Sequence, residues 1–307
     1  MSSAQSSKPW KILVHGGAGA IQPDRFSPEE KQTYLNGLEQ AAQLGAEALL
    51  QGATALQAAT IAVRDLEDNP LFNAGRGAVY HSQGGHELDA SVMCGLQQKG
   101  AGVSGLTRVK NPVELALILL EKGSHSLLAG GGAESFADRW PQLKRVPPEH
   151  FNTDLRKRQY QEFLQKGQMS LDHGGQTVGA VALDLLGNLA AATSTGGLTG
   201  KLPGRVSDSA IVGAGTYADN QTCALSATGT GDVFIQRNSC FYTHLLVKSG
   251  ASLSEACQTS LDDLKAHGGS GGLIAINARG NSAMLFNTQG MFRAQMGWDS
   301  PLQAEIV

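Results

Sequence analysis

Hydroxyl side chains are the groups whose positions in this sequence most favour chemistry. Thr177 stands where a charged, proline-containing segment ends and an apolar run, VGAVAL, begins. Thr195 ends the next apolar run, and Thr228 precedes Gly229. Threonine is common in strands, so each residue alone has an ordinary structural explanation. A flexible segment that meets a core strand at a threonine is also the geometry that self-cleavage of a chain needs.

The ionisation of the groups at Thr177 indicates how this residue would act. A threonine hydroxyl is a weak nucleophile unless a base takes its proton. A free α-amino group has a pKa of about 8, so much of it is neutral near physiological pH. If the Thr177 hydroxyl attacks the carbonyl of Gln176 and the peptide bond breaks, the new amine can be that base. We therefore predict a cut between Gln176 and Thr177, which makes Thr177 an N-terminal nucleophile.

Motifs for other chemistries are incomplete. A glycine loop follows the first strand, but Gln22 stands where a dinucleotide-binding loop needs its third glycine. Lys201 lacks the adjacent Ser or Thr of a phosphate-binding loop, and His86 lacks the second histidine of a zinc helix. No G-x-S-x-G motif occurs, and spacing places no histidine beside a serine. A nucleotide-binding protein in which Thr177 is only a strand residue is the alternative from another functional class.

Composition excludes several classes of partner. The 307 residues are 41% hydrophobic with a formal net charge of −3, so nothing favours nucleic acid or an anionic membrane. The first nine residues are polar, which argues against a signal peptide and for a cytoplasmic protein. The four cysteines form no C-x-x-C pair and are expected to be reduced. Glycine is abundant, with 39 copies, and gathers beside apolar runs, which indicates tight turns and close backbone approach.

Secondary structure is expected to place Thr177 in the core. The first strand, 11–15, ends in a glycine turn, and a hairpin of buried strands, 178–184 and 189–195, follows an exposed linker of about 141–176. Helices covering both faces of stacked sheets are the expected architecture. The predicted helices are 28–51, 53–67, 112–122, 231–248 and 252–265, with a further one at about 154–165 within the linker. The other predicted strands are 88–94, 102–107, 224–228, 272–277 and 283–287.

Several ordered motifs resemble those of plant-type L-asparaginases/isoaspartyl peptidases, which are N-terminal-nucleophile hydrolases of the threonine type. The motifs are TVGAVALD from Thr177, ATSTGG from Ala192, KLPGRV from Lys201 and TGTGD from Thr228, with HGGAG, FNAG and HELDA before them. The resemblance implies an α+β fold, a four-layer αββα sandwich formed by one domain of residues 1–307. It also implies cleavage into an α subunit, 1–176, and a β subunit, 177–307, and an (αβ)2 assembly.

The same resemblance assigns the catalytic groups. Thr177 is implied as the nucleophile and Thr195 as the second threonine that orients or activates it. Thr228 and the backbone N–H of Gly229 correspond to the oxyanion hole, whose donors face the charge that develops on the attacked carbonyl. Asn73 corresponds to a supporting residue beside the nucleophile.

Substrate recognition is implied by a second group of residues. Arg205 corresponds to the partner of the substrate α-carboxylate, because a guanidinium matches a carboxylate with two parallel hydrogen bonds. Asp208 corresponds to the partner of the α-ammonium, and Gly231 lines the same pocket. The implied reaction is hydrolysis of L-asparagine to aspartate and ammonia and of β-aspartyl (isoaspartyl) dipeptides. A glycosylasparaginase-like amidase of the same fold is the near alternative.

The resemblance also implies a structural sodium or potassium ion, with no cofactor for catalysis. The loop that would hold the ion through backbone carbonyls comprises Leu66, Glu67, Asn69, Phe72, Ala74 and Arg76. The sequence departs from the family pattern at Gln176, because asparaginases of this type usually carry glycine before the threonine. A larger residue is expected to slow self-cleavage.

Overall fold

The computed structural model describes residues 9–22, 24, 26–167 and 177–307. Its strands are β1 (Lys11–Gly19), β2 (Leu88–Cys94), β3 (Lys99–Leu106), β4 (Leu127–Ala129), β5 (Val178–Leu183), β6 (Leu189–Thr195), β7 (Thr216–Ala218), β8 (Cys223–Gly229), β9 (Gly271–Asn277), β10 (Ser282–Phe286), β11 (Gly290–Gly297) and β12 (Ser300–Glu305). Its helices are α1 (Pro28–Leu50), α2 (Ala55–Asp68), α3 (Pro112–Lys122), α4 (Gly130–Ala137), α5 (Asp154–Lys166), α6 (Gly231–Arg237), α7 (Ser239–Lys248) and α8 (Leu253–Ala266).

The strands form two sheets. The larger sheet has eight strands in the order β12, β11, β1, β5, β6, β2, β3 and β4, and the smaller has the order β10, β9, β8 and β7. β5 and β6 form the predicted antiparallel hairpin at the centre of the larger sheet. β1 lies beside β5 and opposes His15 to Gly179, two residues after Thr177. The predicted nucleophile therefore enters the sheet between strands that are covered on both faces.

Helices pack against each of the two sheets, and apolar residues of both sheets also pack together. α1 and α2 start at capping boxes set by Ser27 and Thr54, and their apolar sides pack on the larger sheet. Leu13, Val181 and Ile274 belong to a second apolar cluster, which lies between the two sheets. A third cluster joins the smaller sheet to α7 and α8. Among the described residues, no helix combines the length and apolar character needed to cross a bilayer.

Several boundaries differ from the sequence-based prediction. The glycines after His15 continue β1 to Gly19, with a register shift between His15 and Gly17, instead of forming a turn. The helix predicted for 231–248 is broken at Asn238, whose left-handed backbone (φ 48°) separates α6 from α7. The hairpin of β9 and β10 is not the last, because β11 and β12 follow it and complete the edge of the larger sheet.

Much of the segment predicted to be an exposed linker is packed. Leu143 and Phe151 join the core cluster beneath the larger sheet. Arg156 of α5 is fully buried, and its Nε donates to the carbonyl of Gly77 at 2.6 Å. α5 ends at Lys166, and residues 168–176, the rest of the predicted linker, lie outside the described residues.

Candidate active site

Thr177 and Thr195 face each other at the start of β5 and the end of β6. The hairpin pairs Val178 with Ser194, which places the residues on either side of this pair next to each other. The Thr177 Oγ1 donates to Thr195 Oγ1 at 3.2 Å, and both side chains are buried. The structure thus brings together the predicted nucleophile and its predicted partner. Gln176, the other residue of the predicted cleavage site, lies outside the described residues.

Asn73 fixes the turn that follows Thr195. The N–H of Gly197 donates to Thr195 Oγ1 at 3.0 Å, and the carbonyl of Gly197 accepts from Asn73 Nδ2 at 2.7 Å. Asn73 Oδ1 in turn accepts from the N–H of Val79 at 3.0 Å. Asn73 therefore holds the loop that positions the Thr195 hydroxyl, as the supporting role requires, although it acts through Gly197.

Thr228 and Gly229 lie at the end of β8, where the smaller sheet meets β1. Thr228 Oγ1 accepts from the N–H of Ala18 at 3.2 Å, which leaves its hydroxyl hydrogen available for donation. Gly229 has φ 142°, and a Cβ there would lie 2.2 Å from the carbonyl oxygen of Ser270. Only glycine fits this position, because a side chain would collide with backbone that has no room to move.

Arg205 and Asp208 lie next to Gly231. A Cβ on Gly231 would lie 2.5 Å from Asp208 Oδ1 and 2.8 Å from Arg205 Nη2, so both side chains border the space that this glycine leaves open. Arg205 also donates to Asp232 through Nε at 3.3 Å and Nη2 at 3.0 Å. Asp232 ends the TGTGD motif, but no role was predicted for it from the sequence.

Asp208 is a buried carboxyl with unmet hydrogen-bonding capacity. Its Oδ2 has no hydrogen-bond partner among the residues that the structure describes. Burial raises the pKa of Asp208 to about 7, against the opposing effect of the nearby Arg205 charge. A cationic group beside Asp208 would find a hydrogen-bond acceptor, the Oδ2 atom, that the described residues do not use.

Asp89 links the two halves of the site. It pairs with Thr195 across β2 and β6 and is fully buried. Its Oδ2 accepts from the N–H of Ser207 at 2.8 Å, and its Oδ1 accepts from the N–H of Gly105 at 3.0 Å. The loop that carries Arg205 and Asp208 is thereby fastened to the strand beside Thr195. Asp89 belongs to the HELDA motif, but no role was predicted for its carboxylate from the sequence.

Glu67 supports β6 from the helix side. Its carboxyl is fully buried and accepts from Ser194 Oγ at 2.6 Å and from the N–H of Val113 at 3.0 Å. Burial raises the pKa of Glu67 to about 8. The side chain thus anchors the residue before Thr195, a role that the sequence analysis did not assign to it.

A histidine does lie beside a serine in this site, although sequence spacing showed none. His15 Nδ1 lies 3.0 Å from the carbonyl oxygen of Thr177, and its Nε2 lies 2.8 Å from Ser226 Oγ. Burial lowers the pKa of His15 to about 3. The imidazole contacts the backbone of Thr177 rather than its hydroxyl. The contact arises from the pairing of β1 with β5, and no catalytic motif in the sequence indicates it.

The predicted cation loop follows α2 and is folded by its own backbone. The carbonyls of Leu66, Phe72 and Ala74 accept N–H bonds from residues two or three positions later. Each carbonyl oxygen has a second lone pair that is free to face an ion. A Cβ on Gly75 would lie 2.4 Å from the carbonyl oxygen of Glu67, so the glycine keeps that oxygen uncovered. The loop therefore fits an ion held by carbonyl oxygens, the ligands that hard cations prefer.

Side chains offer no competing metal site in the described part of the chain. No group of three or more His, Cys, Asp or Glu residues there is arranged to hold a metal ion. Arg156 supplies a fixed positive charge at the cation loop, where its Nη2 donates to the carbonyl of Leu71 at 3.3 Å. No step of the chemistry considered below needs a metal.

Comparison with known proteins identifies the family of the chain. The model of the asparaginase family matches residues 8–303. An isoaspartyl peptidase from Escherichia coli K12 is 48% identical over 294 residues, which cover 92% of this chain and 91% of the relative. A mouse isoaspartyl peptidase/L-asparaginase is 40% identical over 274 residues, covering 88% and 82% respectively. A family match across almost all of the sequence and relatives matched over most of their length lead to one conclusion: the chain belongs to the asparaginase family.

Proposed function

We propose that this hydrolase cleaves the side-chain amide of L-asparagine and the β-linked peptide bond of isoaspartyl dipeptides, with Thr177 as nucleophile. The observation that carries the proposal is the 3.2 Å contact between the buried hydroxyls of Thr177 and Thr195 at the entrance to β5. The names of the bacterial and mouse relatives support the substrate class. Small molecules with an aspartyl end are therefore the substrates to test.

The nucleophile is released in a first reaction. The Thr177 hydroxyl attacks the carbonyl of Gln176, the bond to the Thr177 nitrogen breaks, and an ester between Gln176 and Thr177 Oγ1 forms. Water then hydrolyses this ester and leaves Thr177 with a free amine and a free hydroxyl. Thr195 supports this chemistry because its Oγ1 accepts the hydroxyl hydrogen of Thr177 and can keep the nucleophile oriented.

The substrate binds in the space beside Gly231. Arg205 pairs with the α-carboxylate, and the unpartnered oxygen of Asp208 accepts the α-ammonium. Together they read only the aspartyl end of the molecule. The group beyond the scissile bond is not recognised by this pair, so ammonia and an amino acid are both acceptable leaving groups.

The catalytic cycle then has two steps: the β-aspartyl group is transferred first to Thr177 and then to water. The amine of Thr177 takes the hydroxyl proton while Oγ1 attacks the β-carbonyl, and the charge on the carbonyl oxygen is met by Thr228 and the N–H of Gly229. The C–N bond breaks, and the leaving nitrogen takes the proton from the amine. Water attacks the resulting β-aspartyl ester, gives its proton to the amine, and Thr177 Oγ1 regains a proton as aspartate leaves.

The layer order of the fold, the assembly of the subunits and the bound ion belong to the same proposal. We infer a four-layer αββα order, since α1 and α2 pack on the larger sheet, α7 and α8 on the smaller one, and an apolar cluster lies between the sheets. Subunits 1–176 and 177–307 would remain in one protomer, and two protomers would form the (αβ)2 assembly. A sodium or potassium ion in the carbonyl loop of residues 66–76 would stiffen the segment that carries Asn73.

A denaturing gel and a product assay test the proposal. We expect two chains, with Thr177 as the N-terminus of the smaller one by mass spectrometry, and release of aspartate from L-asparagine and a β-aspartyl dipeptide. Thr177→Ala should stay uncut and inactive, whereas Arg205→Ala should be cut and bind substrate poorly. Thr243→Ala is the control, because it removes a buried threonine hydroxyl of α7 that donates to the carbonyl of Ser239. Wild-type protein that stays whole and turns over neither substrate would refute the proposal.

A further inference from the structure

Five buried polar side chains form a continuous hydrogen-bonded row between the two sheets. His15 Nε2 lies 2.8 Å from Ser226 Oγ, and Ser226 Oγ lies 2.7 Å from Thr193 Oγ1. Thr216 Oγ1 donates to Thr193 Oγ1 at 2.5 Å, and Ser91 Oγ reaches Thr216 Oγ1 at 2.9 Å. None of the five has any solvent-exposed surface. Such a row between packed sheets is costly unless every member is satisfied, so its completeness calls for an explanation.

Gly179 makes room for this row at its first link. A Cβ on Gly179 would lie 2.0 Å from Ser226 Oγ and 2.4 Å from His15 Nε2. The β1–β5 register places His15 directly opposite Gly179, so the imidazole lies over the bare backbone of the nucleophile strand. From there it reaches β8 in the other sheet, where Ser226 stands two residues before Thr228.

The row ends at the two functional parts of the site. At one end, His15 Nδ1 lies 3.0 Å from the carbonyl oxygen of Thr177. At the other end, Ser91 Oγ also lies 2.7 Å from the carbonyl oxygen of Ser209, the residue after Asp208. The row therefore runs from the backbone of the nucleophile to the backbone of the substrate-binding loop.

One direction of donation satisfies the five links that run from Ser91 to the Thr177 carbonyl. A carbonyl only accepts, so the hydrogen of the neutral imidazole must be on Nδ1, and Nε2 must accept from Ser226. Ser226 Oγ then accepts from Thr193, Thr193 from Thr216, and Thr216 from Ser91. Each group gives one hydrogen, and Ser91 shares its single hydrogen between Thr216 Oγ1 and the carbonyl of Ser209.

We propose that His15 is the positioning residue of the nucleophile, held as the Nδ1–H tautomer by Ser226 so that its ring fixes the Thr177 carbonyl. The inference deepens the proposed function and rests on Thr177 being the nucleophile. Holding this carbonyl restrains the backbone of Thr177, from which both the amine and the hydroxyl that faces Thr195 project. Small displacements of a nucleophile lower kcat strongly, so this contact should be visible in turnover.

Kinetics of cleaved protein test the role of His15. Activity is divided by the amount of the chain that begins at Thr177, so that slow processing does not count as slow turnover. We expect His15→Ala to lower kcat about a hundredfold with KM nearly unchanged. His15→Asn should recover about tenfold of that loss, because its amide N–H can still donate to the Thr177 carbonyl. Ser260→Ala is the control, since its buried hydroxyl on α8 lies outside the row and should leave kcat unchanged.

The two ends of the row should also give different kinetic signatures. Ser226→Ala, which removes the donor to Nε2, should lower kcat about tenfold, whereas Ser91→Ala should raise KM because it loosens the loop of Asp208. Tautomer-sensitive nitrogen NMR of the wild-type protein should show His15 as the Nδ1–H form, a result that does not depend on any variant folding or on activity.

Three results would overturn the inference. They are an Nε2–H tautomer at His15, a wild-type kcat per cleaved chain in His15→Ala, and an Asn variant no better than the Ala variant. If wild-type protein is neither cut nor active, the proposed function fails instead, while the tautomer measurement still reports on the contact itself.

Discussion

Asp232 holds the guanidinium of Arg205 along one edge, with Nε at 3.3 Å and Nη2 at 3.0 Å from its two carboxylate oxygens. Asp232 is the more exposed partner, with 54% of its side chain accessible against 15% for Arg205. Asp232 therefore lies on the solvent side of Arg205. We infer that this side-on carboxylate restricts rotation of the guanidinium and turns its other edge towards the proposed substrate.

Neutralising Asp232 should weaken substrate binding rather than chemistry. Asp232→Asn loses the charge that orients Arg205, and we expect KM to rise about two- to fivefold with kcat unchanged, the size typical of a partly exposed ion pair. Steady-state kinetics at low and moderate salt measure this change. Asp263→Asn is a matched control, because Asp263 binds Arg237 through the same two nitrogens, at 2.8 and 3.0 Å, between α6 and α8. A lower KM in Asp232→Asn would show that Asp232 competes with substrate instead.

Adding one methyl group at Gly231 should block the pocket without disturbing the fold. The Cβ of Gly231→Ala would come within 2.5 Å of Asp208 Oδ1 and 2.8 Å of Arg205 Nη2. We expect kcat/KM to fall about ten- to a hundredfold, as overpacking costs, while the cut before Thr177 proceeds as in wild type. Gly132→Ala in α4, where a Cβ meets nothing within 4 Å, is the control. Unchanged kcat/KM in Gly231→Ala would remove Gly231 from the pocket.

The pKa of Asp208 predicts how binding depends on pH. Burial raises the pKa of this carboxyl to about 7, and only the ionised form can pair with an α-ammonium. We expect kcat/KM to rise with pH by about tenfold per unit below the pKa and to level off above it. The amine of Thr177 titrates in the same direction, so the two must be separated.

The kcat profile separates the two groups. In the enzyme–substrate complex the bound ammonium keeps Asp208 ionised. The titration of Asp208 should therefore be absent from the dependence of kcat on pH, whereas the titration of the Thr177 amine remains. Asp208→Asn should raise KM strongly and remove the Asp208 contribution from the kcat/KM profile. Identical pH profiles of kcat and kcat/KM would contradict this assignment.

Glu67 should make the folded protein less stable as pH rises. Its pKa is about 8 in the folded state against 4.5 for the free side chain, so the native protein keeps a proton that the unfolded chain loses. The stability that this provides is complete below pH 4.5 and is lost as pH rises to about 8.

Glu67→Gln tests this linkage. The amide oxygen can still accept from Ser194 and Val113, so the variant should keep the fold. Its free energy of unfolding should lack the decline of a few kcal/mol that the wild-type protein shows between these pH values. Urea unfolding midpoints across the range measure it. Asp208→Asn is measured alongside, because the raised pKa of Asp208 acts in the same direction. Parallel wild-type and Glu67→Gln curves would show that Glu67 is not the group responsible.

Local pattern was sufficient for the elements that carry the nucleophile. The strands β5 and β6 were predicted almost to the residue, because uninterrupted small apolar residues between turn signals specify a buried hairpin. Thr177 stood out because it lies at the junction before that hairpin. The structure then adds the contact with Thr195, which depends only on the register of two adjacent strands.

Long-range pairings explain what was missed. β11 pairs with β1 from the opposite end of the sequence, and the left-handed Asn238 breaks a helix whose composition is continuous. The roles of Asp89 and His15 likewise depend on residues more than 100 positions away. No spacing rule within a short window can find such contacts, because the sheet order that creates them mixes early and late strands.

That mixed order decides what a cut before Thr177 can do to the molecule. β1 lies between β11 and β5, both from the segment after the cut, and β2 pairs with β6 across a further seam. Three lateral strand contacts, all within the eight-stranded sheet, would join the two chains. Neither piece could leave without exposing a row of unpaired backbone groups in the core. The two chains should therefore unfold together in one transition, and neither should fold when expressed alone.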